Sequence, residues 1–181
     1  MLGIDARSFY HHGVTALAAR YYLRSAASLG PRTRVWGRPC INNQGKLVVG
    51  DRVRLLSTPA TLQIDVAPGA ELTIGDRVFI NYGCSIGAMQ SIRIGARTLF
   101  GPHVIVMDND FHTLDPDRRE EIPPSKPIVI GENVWLCARA IVLRGVTIGD
   151  GSVIGAGSVV SRDIPPRVLA AGSPIKILRS L

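Results

Sequence analysis

The chain has 181 residues, enough for one domain with a buried core. Hydrophobic residues make up 46% of it and aromatics only 6%, so its apolar content lies in Ile, Val, Leu and Ala, which favours many short strands. The formal charge is +7, but the 21 basic residues are scattered without a helix-turn-helix, zinc-finger or stacking-aromatic pattern, which argues against nucleic acid and leaves an anionic small molecule or a lipid-linked substrate as partner.

Targeting signals and cysteine pairs are not recognisable in this sequence. The start, "MLGIDARSFYHHGV", has no apolar core typical of a signal peptide, and no apolar run is long enough to cross a bilayer. Cys40, Cys84 and Cys137 are odd in number and far apart, which argues against a disulfide framework and against a zinc site. We expect a cytoplasmic protein with free thiols and no bound metal.

Residues 1–47 are predicted to form an N-terminal helical and capping segment. The stretch "VTALAARYYLRSAASLG", residues 14–30, has a helix-forming composition, and a proline follows its final glycine as a stop. Arg20 and Arg24 lie four positions apart, on one face of such a helix. We favour a helix that docks over the end of the following repeat; the alternative is peripheral contact with the inner face of the membrane, in which case the acceptor would be lipid-linked.

Large apolar residues recur every six positions within residues 48–165. A helix returns to one face after about 3.6 or 7.2 positions, so a strict period of six argues against helix. Short strands that turn every six residues can each point one large and one small side chain inward, and three strands per coil form a triangular solenoid with coils about 4.8 Å apart. We expect the glycines that follow the aliphatic residues, together with Asp76, Asn133 and Asp150, to provide the corner conformations. The large residues are Ile74, Ile80, Ile86, Ile94, Phe100, Val106, Ile130, Leu136, Val142, Ile148, Ile154 and Val160.

The period is interrupted by "MDNDFHTLDPDRREEIPPSKP", which lies between two regular parts of the repeat. The excess over a regular coil must leave the solenoid, so we predict an inserted loop at about residues 108–127. Loops on rigid scaffolds often carry function, and this one contains His112 among several carboxylates. The interruption is therefore the first candidate for an active site.

The repeat and its closing segment, "IGENVWLCARAIVLRGVTIGDGSVIGAGSVVSRDIPPRVLAAGSPIKILR", resemble the hexapeptide-repeat acyltransferases, in the branch of maltose, galactoside and Nod-factor O-acetyltransferases. The resemblance covers roughly residues 48–178. It implies an all-β solenoid, a left-handed parallel β-helix with an N-terminal helix and an inserted active-site loop. The left hand comes from the resemblance alone, because general rules favour right-handed crossovers. Members of the family are homotrimers with active sites between neighbouring solenoids, and the resemblance implies the same here.

The loop sequence "FHTLDPDRR" resembles the family's H-P-L-D-P-x-x-R stretch, whose histidine is the general base. The resemblance assigns this role to His112, with Thr113 in place of the usual proline. A thioester is already activated, so an enzyme must mainly hold an acceptor hydroxyl in line and remove its proton, for which a neutral imidazole is suited. A carboxylate or a carbonyl would fix the tautomer, and Asp115, Glu120 and Glu121 are candidates.

"FINYGCSIG" contains a candidate for acceptor binding. Asn81 occupies the position of a family asparagine that faces the acceptor sugar, and an amide can donate and accept hydrogen bonds at once. A corner or an inward asparagine ladder would explain the same residue without a ligand. Asp110 and Asp115 are assigned with it to acceptor binding, whereas Cys84 is interpreted as a small inward residue and His103 as a corner residue.

Residues 166–181 are predicted to be a C-terminal coenzyme-binding tail. Coenzyme A carries a 3′-phosphate and a pyrophosphate, so its site needs cations and backbone donors. The basic residues could equally be parts of a solvated tail. The resemblance assigns to the coenzyme Ala138 and Ala156 along the pantetheine arm through backbone groups, Ser161 and Arg162 nearer the nucleotide, and Lys176 and Arg179 toward the phosphates.

We therefore predict an acetyl-CoA-dependent O-acetyltransferase that acts on a hydroxyl of a sugar or of a surface glycan during polysaccharide biosynthesis. One alternative is an antibiotic O-acetyltransferase of the same fold with a more apolar acceptor pocket. A zinc carbonic anhydrase would need three converging imidazoles, whereas only His103 and His112 lie in or near the repeat and His11 and His12 are at the start. A non-enzymatic scaffold would bind no coenzyme A.

Overall fold

The computed structural model describes residues 6–181, with side chains from residue 13 onward. A helix, α1 (Ala6–Tyr22), precedes twenty strands, and a 3₁₀ helix (Pro116–Arg118) lies between β12 and β13. The strands are β1 (Ser28–Leu29), β2 (Arg34–Gly37), β3 (Cys40–Asn43), β4 (Lys46–Val49), β5 (Arg54–Ser57), β6 (Gln63–Val66), β7 (Glu71–Ile74), β8 (Phe79–Ile80), β9 (Ser85–Ala88), β10 (Ser91–Ile94), β11 (Leu99–Phe100), β12 (Ile105–Met107), β13 (Ile128–Ile130), β14 (Trp135–Leu136), β15 (Ile141–Val142), β16 (Thr147–Ile148), β17 (Val153–Ile154), β18 (Val159–Val160), β19 (Val168–Ala171) and β20 (Lys176–Ser180).

The strands form three sheets that are the walls of a triangular solenoid. The first sheet has the order β1-β4-β7-β10-β13-β16, the second β2-β5-β8-β11-β14-β17-β19-β20, and the third β3-β6-β9-β12-β15-β18. Each of the six coils from β1 to β18 contributes one strand to each sheet, β19 and β20 extend the second sheet alone, and strands pair in parallel except for β19 with β20. The prediction of a left-handed parallel β-helix of hexapeptide repeats is confirmed.

The core is built from ladders of the predicted large residues. In the first sheet Ile74, Ile94 and Ile130 are register partners in successive coils, so each side chain stacks on an identical one. All residues of the series are at most 1% exposed. Burial of such a side chain contributes about 1.5–3 kcal/mol, and its repetition along the solenoid provides the driving force for stacking the coils. Buried hydroxyls are satisfied, as where Thr98 donates to a backbone carbonyl at 2.9 Å.

The corner between the first and second sheets differs in part from the prediction. Asn133 adopts a left-handed conformation as expected (φ 53°), but in neighbouring coils arginines do so, for example Arg97 (φ 61°). Asp76 and Asp150 instead accept backbone N–H groups of the preceding coil at 2.8 and 2.7 Å. The glycine after the aliphatic residue permits close approach, because a Cβ at Gly95 would lie 2.4 Å from a backbone carbonyl carbon of the next coil.

The N-terminal segment also differs from the prediction of a helix over residues 14–30. The helix ends at Tyr22, and Ser28–Leu29 already pairs in parallel with β4, so coils begin well before residue 48. The helix packs against β2, with Ala19 and Leu23 buried in the core. Docking on the first coil therefore decides where the helix ends. No helix in the described part of the chain has the length and apolar character needed to cross a membrane.

Candidate active site

The loop leaves the solenoid at the corner between the third and first sheets. It occupies residues 108–127, between β12 and β13, where the interruption of the repeat places it. Arg93 pairs with Val129, thirty-six residues later, whereas Val129 pairs with Thr147 only eighteen residues later. The extra residues therefore project from a single coil, while the coils on either side stack without a break.

The base of the loop is fixed by a buried carboxylate. Asp108 is fully buried and accepts the backbone N–H groups of Met89, Gln90 and Ser91 at 2.7–2.8 Å. Its own carbonyl accepts the N–H of Lys126 at 2.9 Å, which ties the two ends of the loop together. Asp108 lies two positions after Val106 and continues the inward alternation of the strand, a signal that could have identified its structural role from the sequence.

The next residues hold the loop in a strained conformation. Asn109, also buried, donates through Nδ2 to the carbonyl of Pro123 and to Oγ of Ser125, both at 2.8 Å. Its Oδ1 accepts the N–H of Phe111, whose φ of 62° is unusual for a bulky residue. Strained backbone of this kind persists only where its surroundings enforce it and is frequent at functional sites. The loop therefore presents Phe111 and its neighbour His112 in a defined geometry.

His112 is exposed, and one of its ring nitrogens has a backbone partner. Its Nδ1 lies 2.7 Å from the carbonyl oxygen of Arg119, and its own N–H donates to the carbonyl of Asp110 at 2.7 Å. A carbonyl can only accept, so Nδ1 must carry the proton of the neutral imidazole. The lone pair is therefore on Nε2, the nitrogen that could remove a proton from an acceptor.

Two of the three predicted orienting carboxylates, Asp115 and Glu121, have other partners. Glu121 is paired with Arg118 at 2.8 Å, and this hydrogen bond holds the pKa of Glu121 below its usual value. Asp115 caps the 3₁₀ helix by accepting a backbone N–H at 3.0 Å, and Asp110 forms an ion pair with Arg144. The partner of the histidine is the Arg119 carbonyl, which sequence reasoning could not identify because every residue has one. The assignment of Asp110 and Asp115 to acceptor binding stays a prediction.

A second feature is a groove at the corner between the second and third sheets, which we call the corner groove. It has a volume of about 570 Å³. Ala138 and Ala156, from successive coils, both line it, and neither of their N–H groups donates to another residue of the described chain. Unpaired backbone donors along a groove suit the amides of an extended ligand. The lining residues are Tyr82, Pro102, His103, Ala138, Arg139, Ala156 and Gly157.

Asn81 lies at this same corner, next to the groove residue Tyr82. Its Oδ1 accepts the Tyr82 N–H at 2.9 Å, which leaves its Nδ2 group to donate. In the next coil His103 lies at this corner in a left-handed conformation (φ 60°), as expected for a corner residue. Its ring contacts the Tyr82 ring edge-on, with the two ring centroids 5.6 Å apart. Asn81 and His112 are thus at different corners of one chain, separated by the width of the third sheet.

Cys84 is an inward residue, as predicted, and its chemistry follows from its burial. It is fully buried, its Sγ donates to the carbonyl of Gly101 at 3.2 Å, and burial raises its pKa to about 11. Since the thiolate is the reactive form, we expect native protein at pH 8 to be alkylated by iodoacetamide at the exposed Cys40 and not at Cys84 until it is unfolded. Peptide mass spectrometry of native and urea-treated samples checks this; equal labelling of the two thiols in native protein would contradict it.

The predicted coenzyme residues of the closing segment lie on the surface. Ser161 and Arg162 are exposed, and Arg162 donates to the carbonyl of Ile175 at 2.7 Å, which holds the start of the last strand. Lys176 and Arg179 are exposed on β20, the strand that pairs antiparallel with β19. The structure brings Ala138 and Ala156 together in one groove, and the roles of the four residues of the closing segment stay predictions.

Metal ligands do not converge in the part of the chain that is described. No group of three or more His, Cys, Asp or Glu side chains there could hold a metal ion. His103 and His112 belong to different corners, and the side chains of His11 and His12 lie outside the described residues. The arrangement of His103 and His112 therefore gives no support to the carbonic anhydrase alternative.

Several known proteins are similar to this chain. A sequence profile of the family described as bacterial transferase hexapeptide (six repeats) matches residues 127–162. Galactoside O-acetyltransferase of Escherichia coli (strain K12) is 38% identical over 113 residues, which cover 62% of this chain and 56% of that protein. An E. coli protein named provisionally as the lipopolysaccharide biosynthesis O-acetyl transferase WbbJ is 33% identical over 164 residues, 81% of this chain and 82% of WbbJ. The chain thus spans little more than half of the first relative but most of the second.

Solved structures share the architecture over nearly the whole chain. The hexapeptide-repeat acetyltransferase VCA0836 of Vibrio cholerae, complexed with acetyl coenzyme A, is 29% identical with a TM-score of 0.67, covering 99% of this chain and 91% of the other. A galactoside acetyltransferase in complex with coenzyme A is 28% identical with a TM-score of 0.66, covering 96% and 76%. Both structures were obtained with the coenzyme or its acetylated form.

Proposed function

Because this chain belongs to the hexapeptide-repeat acetyltransferases, we propose that it transfers an acetyl group from acetyl-CoA to a hydroxyl of a sugar or surface glycan. The observation that carries the proposal is the contact of His112 Nδ1 with the Arg119 carbonyl, which leaves Nε2 as an exposed base on a rigidly anchored loop. Similarity to sugar O-acetyltransferases supports the acceptor class.

The proposed reaction needs no covalent enzyme intermediate. Nε2 of His112 takes the proton of the acceptor hydroxyl while the hydroxyl oxygen forms a bond to the thioester carbonyl carbon. The carbon–sulfur bond then breaks, and the imidazolium returns the proton to the sulfur, so that coenzyme A leaves as a thiol and the acceptor as an acetyl ester. Asn81 would orient the hydroxyl by donating from Nδ2.

The corner groove is the proposed site of the pantetheine arm. The unpaired N–H groups of Ala138 and Ala156 support this, because the arm carries two amides that accept hydrogen bonds. Lys176 and Arg179 would bind the phosphates, and Ser161 and Arg162 would lie nearer the nucleotide. No metal takes part in the proposed reaction.

The geometry also supports a site shared between copies of the chain. The groove and Asn81 are at one corner, whereas the loop with His112 is at the next, so one solenoid does not place the two at the same corner. In a closed ring of three, the loop of each copy would meet the groove of its neighbour. Exposed apolar side chains on the loop, Leu114 and Ile122, are suited to such a contact.

We place the reaction in the cytoplasm, with the N-terminal helix as a point of contact with the inner face of the membrane. Val14, Leu17 and Tyr21 recur at helical spacing and are exposed, while the opposite face of the helix is packed on the first coil. An exposed apolar stripe beside Arg20 and Arg24 is suited to an anionic membrane surface. Such contact would bring a lipid-linked glycan to the enzyme.

Calorimetric titration of the purified protein with acetyl-CoA, and then with acetyl-dephospho-CoA, tests the proposed donor. We expect saturable binding that weakens when the 3′-phosphate is removed, because a phosphate that binds cations contributes charge-assisted hydrogen bonds. Absence of binding by either ligand would overturn the proposed function and favour a scaffold. If acetyl-CoA binds, release of free thiol on addition of candidate acceptors identifies the acceptor class.

Replacement of Lys176 by alanine is expected to weaken acetyl-CoA binding by about 2- to 5-fold, because one exposed ion pair with a phosphate contributes up to about 1 kcal/mol. The variant should also lose part of the discrimination between acetyl-CoA and its dephospho form. Arg93→Ala, which removes an exposed cation from the outer face of the first sheet, is the matched control. An unchanged affinity in Lys176→Ala would show that Lys176 belongs to a solvated tail.

A further inference from the structure

A cavity of about 250 Å³ lies beside the loop, on the side of the third sheet, and we call it the loop cavity. Phe111, the residue directly before His112, is one of its lining residues. Its volume is below the roughly 300–1,000 Å³ typical of sites for drug-sized ligands and suits a single sugar ring. The lining residues are Asn42, Gln44, Asp65, Val66, Ala67, Pro68, Gly87, Ala88, Met89, Met107 and Phe111.

One wall of the loop cavity is apolar and firmly held. It consists of Met89, Met107 and Phe111. The backbone of Met89 is fixed by the buried Asp108, and Phe111 is held by Asn109 in its strained conformation. Thioether and aromatic side chains make favourable contacts with C–H and methyl groups but offer no strong hydrogen-bond partner to a hydroxyl.

The opposite wall is polar. Asn42 and Asp65 are register partners on neighbouring strands of the third sheet, and both are exposed. The Asp65 carboxylate has no hydrogen bond or ion pair within the described chain, while the Asn42 amide oxygen accepts from Gln44 at 3.3 Å. A carboxylate beside two amides is a strong acceptor set for sugar hydroxyls. The cavity thus offers hydrogen bonds on one side only.

The floor between the walls is open because of one glycine. Gly87 is buried and pairs in register with Asp65, which in turn pairs with Asn42, so the three residues come from successive coils. A Cβ at Gly87 would lie only 2.6 Å from the Met107 Sδ atom. A larger residue at this position would displace the Met107 thioether, so the present shape of the apolar wall depends on Gly87.

We propose that the loop cavity binds the acceptor ring and that the acceptor is a deoxyhexose residue, with its deoxygenated edge against Met89, Met107 and Phe111 and a hydroxylated edge toward Asp65. This inference rests on the proposed acetyltransferase function. A ligand of one ring, apolar on one edge and hydroxylated on the other, matches the two walls. A fully hydroxylated hexose would leave a buried hydroxyl unpaired against the apolar wall.

Matched acceptors that differ by one hydroxyl test the inference. Methyl α-L-rhamnoside with methyl α-L-mannoside, and methyl α-L-fucoside with methyl α-L-galactoside, are pairs in which only the C6 hydroxyl changes. With acetyl-CoA as donor, we expect kcat/KM to be about 10- to 100-fold higher for the deoxy member of at least one pair, the range for a hydroxyl forced into an apolar site. Saturation-transfer NMR should show the C6 methyl group of that sugar in contact with the protein.

Variants of the two walls sharpen the test. Met89→Gln keeps the side-chain length and the backbone bond to Asp108, and we expect it to reduce the preference for the deoxy sugar to within about 3-fold. Asp65→Asn should lower kcat/KM for both members of a pair by about 10-fold while it leaves their ratio unchanged. Leu99→Gln, an exposed apolar residue on the second sheet, is the matched control and should leave rate and preference unchanged.

The outcomes separate this inference from the proposed function. Transfer to hydroxylated sugars with equal or greater efficiency, or to an aromatic antibiotic hydroxyl with no transfer to either deoxy sugar, would overturn the deoxyhexose assignment and leave the acetyltransferase intact. A preference that persists in Met89→Gln would overturn the role of the apolar wall. Failure to bind acetyl-CoA at all would instead remove the proposed function on which the inference depends.

Discussion

His112→Ala is expected to lower kcat by about 10²- to 10⁴-fold, the contribution of a general base, and to leave the affinity for acetyl-CoA nearly unchanged. The proposed coenzyme site is in the corner groove and the closing segment, and the histidine is on the loop at another corner. The proposed coenzyme contacts are backbone N–H groups of the corner groove and cations of the closing segment, so loss of the imidazole removes the proton acceptor and none of these contacts, even where the loop meets the groove of a neighbouring copy. Single-turnover rates at saturating acceptor, together with titration of acetyl-CoA, measure the two effects separately.

The control for His112→Ala is Asp117→Ala, which shortens an exposed side chain of the 3₁₀ helix on the same loop. Its activity should stay close to that of the unmodified protein. A His112→Ala variant with undiminished turnover would defeat the assignment of the base. A variant with lower affinity for acetyl-CoA and unchanged turnover would instead move His112 from the chemical step to coenzyme binding.

Asp108→Asn is expected to destabilise the protein by about 2–4 kcal/mol, because an amide offers one acceptor oxygen where the carboxylate accepts three backbone N–H groups through two. The amide NH₂ would also face these donors. The loop that presents His112 starts at this residue, so turnover should fall together with stability. Urea denaturation monitored by circular dichroism gives the free energy of unfolding, and the acetyl-transfer assay gives the activity.

Asp117→Asn is the matched control for the buried carboxylate, because it makes the same chemical change at an exposed position of the loop. We expect a change within about 0.5 kcal/mol, as for most surface substitutions. If Asp108→Asn were as stable as this control, the three hydrogen bonds would not anchor the loop. If it lost stability but kept full activity, the anchored loop base would not be needed to position the histidine.

Much of the fold follows from local pattern. The six-residue series predicts which residues lie inward, and all of them, from Ile74 to Val160, are buried in the structure. The same pattern predicts the position of the loop, because the residues between Val106 and Ile130 are too many for the corner of a regular coil. The period also extends into the first coil, because Leu29, Val35 and Ile41 lie six positions apart and pair in register with Val49, Leu55 and Ile64, a signal that the predicted boundary at residue 48 missed.

The candidate site is only partly readable from the sequence. The histidine stands out because its neighbours resemble a family motif, whereas its partner, the Arg119 carbonyl, is a backbone atom and carries no side-chain signature. The loop cavity combines residues from four coils, and its amphipathic character appears only when Asp65, Gly87 and Met107 become neighbours. Stacking of the coils decides these contacts.

The amino-acid sequence by itself determined the period of the solenoid, the position of the inserted loop and the histidine on it, because strand alternation and a break in a repeat are properties of neighbouring residues. Only the tertiary structure decided where the helix ends, which atom orients His112, and that His112 and Asn81 lie at different corners. Each of these depends on contacts between residues far apart in the chain, and the energy of such contacts is absent from any local pattern.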